Sequence, residues 1–216
     1  MLNLLRKEWM VTRWVPIAGA VIGLMLVPVG PIIPQSMPFL AVFCQLIYTH
    51  LVFSVNRQAA VSRPDNLLFN SLPVTRDQVV GGKYLFALLC AAVYPLYLCL
   101  LLALLSLMGV SPFMPLFALW LLLTAAGVMY HLLLMPVSFV DARYGAAASM
   151  LIYMALIIVP QRIGKEVSGE QITAFFGRIG RALGGWAAPM LLLATLAVVG
   201  LISLTISRRV YRRAEF

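Results

Sequence analysis

The sequence predicts an all-α membrane protein of six transmembrane helices. A short cytoplasmic helix is expected between spans two and three, and short outer helices between spans five and six. Three observations carry that expectation. Of 216 residues, 62% are hydrophobic and 11% charged, against about 45–50% and about 25% in ordinary soluble domains. Apolar runs recur along the chain, most of them close to the roughly 20 residues a span requires. Lys and Arg fall between and beyond those runs. No basic stripe interleaves with aromatic residues, so the net charge of +9 does not indicate a nucleic-acid surface. A water-soluble globule, a disordered tail and a disulfide-stapled secreted module are all excluded, and the expectation is one transmembrane domain over 1–216.

The first apolar run covers 15–29. Arg6, Lys7 and Arg13 precede it, as before a signal peptide, but no small-residue cleavage motif follows. The chain continues into Pro28, Pro31, Pro34 and Pro38, so this run reads as a retained helix. The remaining spans are read at 39–55, 84–108, 113–140, 145–159 and 186–207. The fifth is short and the fourth is long enough to tilt. No repeat relates the first three spans to the last three, which gives an inverted-repeat transporter little support.

The distribution of cations sets the expected orientation. With the N-terminus inside, cytoplasmic segments hold Arg6, Lys7, Arg13, Arg57, Arg63, Arg76, Lys83, Arg143, Arg208, Arg209, Arg212 and Arg213. Outer segments hold only Arg162, Lys165, Arg178 and Arg181. A multi-pass protein of the plasma membrane with both termini cytoplasmic is expected. The four arginines after the last span read as a topology anchor attracted to anionic lipid. Cys44, Cys90 and Cys99 lie within apolar runs. Cys90 and Cys99 would sit on opposite faces of one helix, roughly 13 Å apart along its axis. They cannot pair, no metal-ligand spacing is present, and all three read as small core residues.

The segment 56–83 is neither linker-like nor apolar enough to span. Pro64 can open a helix, with Asp65 in its first turn favoured by the helix dipole. Leu67, Leu68, Phe69 and Leu72 give that helix an apolar side, and Pro73 ends it. Thr75 then starts a second helix, because Thr75-x-x-Gln78 fits the capping box. That helix runs through Val79 and Val80 into the third span, and Gly81-Gly82 marks a kink or a close-packing point. Leu72, Pro73, Val74 and Arg76 are presented to the cytoplasm. Two readings stand for this surface: a docking site for a partner, or an interfacial helix on lipid headgroups.

The stretch Asn66-Leu-Leu-Phe-Asn-Ser-Leu-Pro-Val-Thr-Arg-Asp-Gln-Val-Val-Gly-Gly-Lys-Tyr-Leu85 resembles small ABC-2-type permeases, the membrane subunits of type-2 ABC exporters. The resemblance extends to the architecture: six spans, a leading Leu-Leu-Arg-Lys-Glu interfacial segment, and a long outer loop between spans five and six. It implies that Asn66, Leu67, Phe69, Leu72, Pro73, Val74, Thr75, Arg76 and Asp77 form a coupling helix seated in a separate ATPase subunit. It also implies a unit of two ATPase subunits and two permease chains, with a homodimer expected. The chain departs from the family pattern at Arg63-Pro64-Asp65-Asn66, where relatives often carry an acidic residue beside the one that opens the helix. Asp65 stands in that region without an assigned role.

No phosphate-binding loop is present. Gly82-Lys83 is followed by Tyr84 instead of Ser or Thr, and Asp77 stands where the first glycine belongs. This chain is therefore expected to carry no cofactor and to be no enzyme, with ATP and Mg²⁺ held by the partner ATPase. No ring of intramembrane carboxylates is present, which argues against proton or metal-ion pumping. Exporters similar to this one move amphipathic peptides, toxins or other hydrophobic compounds, and peptide export is the first expectation.

Gln45, Tyr48, Thr49 and His50 are expected to face the bundle interior, because ionisable groups in spans rarely face lipid. They line a translocation path or form interhelical hydrogen bonds, and both readings stand. His50 with Ser54, or His131 with Ser138, would be the core of an intramembrane hydrolase, but no glycine-rich nucleophile motif accompanies them. A non-transporting scaffold or immunity protein is the other alternative. Gly145 and Ser149, four apart, mark a close-packing face for a homodimer contact or for packing inside the chain. Asp141 and Arg143 read as a local ion pair. In the outer loop, 172–179 has apolar residues at helical spacing beside Arg178 and Arg181, an outer cap in exporters of the type resembled or a surface-lying helix.

Overall fold

The computed structural model describes residues 2–29, 32, 37–61, 75–109, 116–140, 144–152, 154, 155, 158, 171, 174, 178, 181, 182 and 185–213. Among these residues the chain is all-helical, with no strand. Helix α1 covers Leu2–Thr12, α2 Val15–Leu24, α3 Leu26–Val29 and α4 Met37–Val61. Helix α5 covers Arg76–Leu107, α6 Leu116–Val140, α7 the stretch 144–152, and α8 Ala187–Arg213.

Among the described residues three helices are long and apolar enough to cross a membrane: α5, α6 and α8. A fourth crossing arises if Leu5–Thr12 and Val15–Val29, bent by 54°, act as one span. The apolar part of α4, Leu40–Asn56, is shorter. The first sequence-read span, 15–29, lies on one side of that bend and is itself interrupted at Met25. The chain turns at Arg13-Trp14, Pro16 opens α2, and a further break follows at Met25. Pro28 withholds the N–H that would reach the carbonyl of Leu24, which weakens the ladder at that break.

Helix α5 begins at Arg76, directly after Thr75 as the capping box requires, and does not break at Gly81-Gly82. Gly82 is buried, so the glycine pair serves close packing instead of a kink. Pro95 and Pro136 lie inside α5 and α6 without ending either, as neighbouring helices permit in a bilayer.

Helix α5 is the hub. Its Phe86, Tyr94, Leu98 and Leu102 join Val15, Met37, Ala41 and Val52 of α2 and α4, and Leu119 and Leu123 of α6. A second cluster ties α5, α6 and α8 through Val80, Tyr84, Leu132 and Met135, with Val199 and Leu204 packed against it. A third sets Phe53 of α4 and Tyr130 and Leu134 of α6 against Ala148 and Ile152 of α7. The hydroxyl of Tyr84 lies 2.6 Å from Ser203 Oγ and 2.7 Å from Ser207 Oγ, joining α5 to α8 inside the second cluster. Helix α8 otherwise leaves Met190, Leu191, Leu201, Ile202 and Ile206 exposed. An exposed apolar face of this kind suits lipid or another membrane helix.

Candidate functional site

Thr75 has extended backbone (φ −72°, ψ 149°) and caps α5 as its sequence requires. The Gln78 N–H donates to Thr75 Oγ1 at 3.3 Å, and the Thr75 N–H donates to Gln78 Oε1 at 3.0 Å. This satisfies two donors that a helix start would otherwise leave bare. Asp77 in the first turn meets Arg212 in the last turn of α8. Arg212 Nε donates to Asp77 Oδ1 at 2.8 Å, and its Nη2 donates to Oδ2. Arg76 Nη1 donates to the backbone carbonyl of Arg212 at 2.8 Å. Each partner is also favoured by its own helix dipole, the acid at an N-terminus and the cation at a C-terminus.

Six residues further along α5, Lys83 Nζ lies 3.7 Å from Glu8 Oε1 of α1, an ion pair longer than a hydrogen bond. Both side chains are almost fully buried, at 6% and 3% exposure. The start of α5, the end of α8 and helix α1 therefore gather at one end of the bundle. Of the residues expected to form a coupling helix, Thr75, Arg76 and Asp77 lie at that charged end. Asn66, Leu67, Phe69, Leu72, Pro73 and Val74 lie outside the described residues, as do Asp65, Asp141 and Arg143. Sequence reasoning missed the roles of Glu8, Lys83 and Arg212. Each member of the buried pair is followed directly by apolar residues, Trp9-Met10-Val11 and Tyr84-Leu85-Phe86, which was the available signal. Nothing local marks Arg212 out from its three neighbouring arginines.

The four interior candidates separate into two places. Gln45 and Thr49 are buried together between α4, α5 and α6. Gln45 Nε2 lies 3.3 Å from Thr49 Oγ1 and 3.5 Å from the Ala91 carbonyl, and Thr49 Oγ1 donates to the Gln45 carbonyl at 2.7 Å. Gly127 leaves room for this pair, since a Cβ there would sit 2.5 Å from Gln45 Nε2. His50 is half-buried on another face of α4. Its Nδ1 is 2.7 Å from the Tyr130 hydroxyl and its Nε2 is 3.4 Å from Ser54 Oγ. That arrangement has a tyrosine where a hydrolase would place an orienting carboxylate. His131 is fully enclosed, packed edge-on to Tyr130 with ring centroids 6.0 Å apart, and Ser138 Oγ instead donates to the Met135 carbonyl.

Tyr48 stacks on Tyr94 with ring centroids 3.9 Å apart. Tyr94 and Tyr97 donate their hydroxyls to the carbonyls of Gly19 and Ala20 of α2, each at 3.0 Å. Gly19-x-x-x-Gly23 makes this approach possible: a Cβ on Gly19 would lie 2.6 Å from the Tyr48 ring, and one on Gly23 2.4 Å from Tyr97. The four-residue glycine spacing is the signal that sequence reasoning passed over. Beside this seam an open cleft of about 640 Å³ runs between α1, α2, α4 and α5.

Gly145 and Ser149 are both buried within the chain, with Ser149 Oγ donating to the Ala146 carbonyl at 2.9 Å. Their face of α7 is already in use inside one protomer. Cys44, Cys90 and Cys99 are unbridged. Among the described residues no cluster of His, Cys, Asp and Glu is placed to hold a metal.

Residues 3–212 match a family model described as ABC-2 family transporter protein. No curated protein matches the chain.

Proposed function

Because this chain belongs to the ABC-2 transporter family, we propose that it is the permease subunit of an ATP-driven exporter working with a separate ATPase. The single observation that carries the coupling reading is the join at Thr75. A capped start leads without interruption into a helix of 32 residues, and its first turn is fastened to α8 through Asp77 and Arg212. Force applied to the segment before Thr75 therefore meets a rigid element instead of a slack loop. In this reading 66–77 is the coupling helix, and closure of the nucleotide-loaded ATPases drives α5 and α8 together.

The full assembly we propose has two ATPase subunits and two permease chains in a homodimer, in the plasma membrane, with both termini cytoplasmic. One chain has too few helices to enclose a pathway. Each protomer would contribute six spans, 1–216 forming one permease domain, with 172–179 in the outer cap. The cargo is proposed to be an amphipathic peptide or another hydrophobic compound, since the described interior is apolar and aromatic. Gln45, Tyr48, Thr49 and His50 would flank the path from within each protomer.

The test is co-purification. The chain is expressed with its genomic neighbours, and an ATPase among them is expected to be retained through affinity capture. Replacing Leu72-Pro73-Val74 by Gly-Ala-Gly is expected to release it. Full retention by that variant would overturn the coupling assignment, and a chain that never captures an ATPase would overturn the exporter reading.

A further inference from the structure

We propose that the cleft between α1, α2, α4 and α5 binds an anionic phospholipid, with an acyl chain along the cleft and the phosphate at Arg6. The wall is apolar and aromatic, built from Leu5, Trp9, Phe86, Leu89, Val93 and Tyr97, among other residues. Arg6 is the charged residue among those lining it, and it is exposed. A greasy slot with a single cation at one end matches one chemistry: a hydrocarbon tail bearing a negative head.

The orientation agrees with that chemistry. Lys83 is paired to Glu8 at the charged end of the bundle, and Phe86 lies one turn deeper along α5. From Phe86 to Tyr97 the wall extends about 16 Å at about 1.5 Å per residue. Half of a hydrocarbon core about 30 Å thick is about 15 Å. The cleft is thus one leaflet deep, with Arg6 at headgroup level and Tyr97 near the midplane. Its volume of about 640 Å³ falls in the range of roughly 300–1,000 Å³ typical of ligand clefts. The cleft also opens sideways, where Trp9, Leu89 and Val93 are 55%, 48% and 60% exposed. An indole at headgroup depth is at home between water and hydrocarbon. A second copy of the chain is a poorer occupant, because a two-fold contact here would bring Arg6 and Arg13 of both copies together.

The experiment uses the intact chain in mild detergent, titrated with dioleoyl phosphatidylglycerol or dioleoyl phosphatidylcholine and followed by native mass spectrometry. Phosphatidylglycerol is expected to bind about fivefold more tightly, the effect of roughly one surface cation. Arg6→Gln should erase the preference, and Arg6→Lys should keep most of it. Val93→Trp and, as an independent filler, Leu89→Trp should weaken both lipids. Phosphatidylglycerol should also slow alkylation of Cys90, which lines the cleft, by an apolar maleimide in the wild type but not in Arg6→Gln. Inorganic phosphate should not compete. Equal binding of the two lipids, or an undiminished preference in Arg6→Gln, would overturn the proposal. So would competition by phosphate alone, or fillers that dissolve a dimer while lipid binding persists.

Discussion

Asp77 and Arg212 stand 135 residues apart in sequence yet form a two-pronged ion pair between the first turn of α5 and the last turn of α8. The pair is solvent-exposed, so it is screened by salt and adds little to overall stability. Its effect is positional: it fixes where the end of α8 sits relative to the start of α5.

Arg212→Gln is therefore expected to leave the thermal midpoint nearly unchanged while lowering capture of the ATPase and ATP-dependent transport. The charge reversal Asp77→Arg combined with Arg212→Asp should recover much of both, and each single reversal should be worse than the double. A double-mutant cycle on ATPase capture measures this. Additive effects of the two reversals would show that the pair does not act as a unit.

The Glu8–Lys83 pair is a different case because both members are buried. Glu8→Ala removes the carboxylate paired with a buried cation and should destabilise the chain by about 3–5 kcal/mol, whereas Glu8→Leu with Lys83→Met should be neutral or stabilising. Thermal unfolding in detergent, followed by near-ultraviolet circular dichroism, distinguishes the two.

Thr75→Ala removes the cap and should cost about 1 kcal/mol, with Thr75→Ser close to wild type. If the segment before Thr75 transmits force, the loss in ATP-dependent transport should exceed what the small drop in stability accounts for. A transport loss that merely tracks folded protein would indicate a structural cap and nothing more.

Gly23→Ala places a methyl group where the Tyr97 ring lies. Overpacking of this kind typically costs about 1–3 kcal/mol, and Tyr97→Leu in the same chain should return part of it. Monodispersity on size-exclusion chromatography after graded heating reads the rank order directly.

What could be read from the sequence was local. The capping box needs only Thr75 and Gln78, three residues apart, so the start of α5 was legible to the residue. Three of the apolar runs marked the helices long enough to cross, α5, α6 and α8, and the cysteine spacing excluded the Cys90–Cys99 bridge. The four interior candidates were correctly placed on one helix, but their division into a Gln45–Thr49 pair and a His50–Tyr130 pair depends on what α5 and α6 present from a distance. The same holds for Arg212, one of four arginines that look alike until α5 is set beside them. The bend between α1 and α2 falls at Arg13-Trp14, just before the run read at 15–29, and its angle depends on packing against α4 and α5, which the run does not encode.

The length of α5 has a geometric consequence. Its 32 residues make a rod of about 48 Å, at about 1.5 Å per residue, against a hydrocarbon thickness of about 30 Å. Such a rod must lean, or stand proud of the bilayer by several turns at its charged foot. A swing of about ten degrees about one tip then sweeps the other through about 8 Å, since displacement grows in proportion to a length of about 48 Å. In the proposed transport cycle this length would act as a gear ratio: small, cheap rotations at the wet rim would become side-chain-sized displacements at the far end.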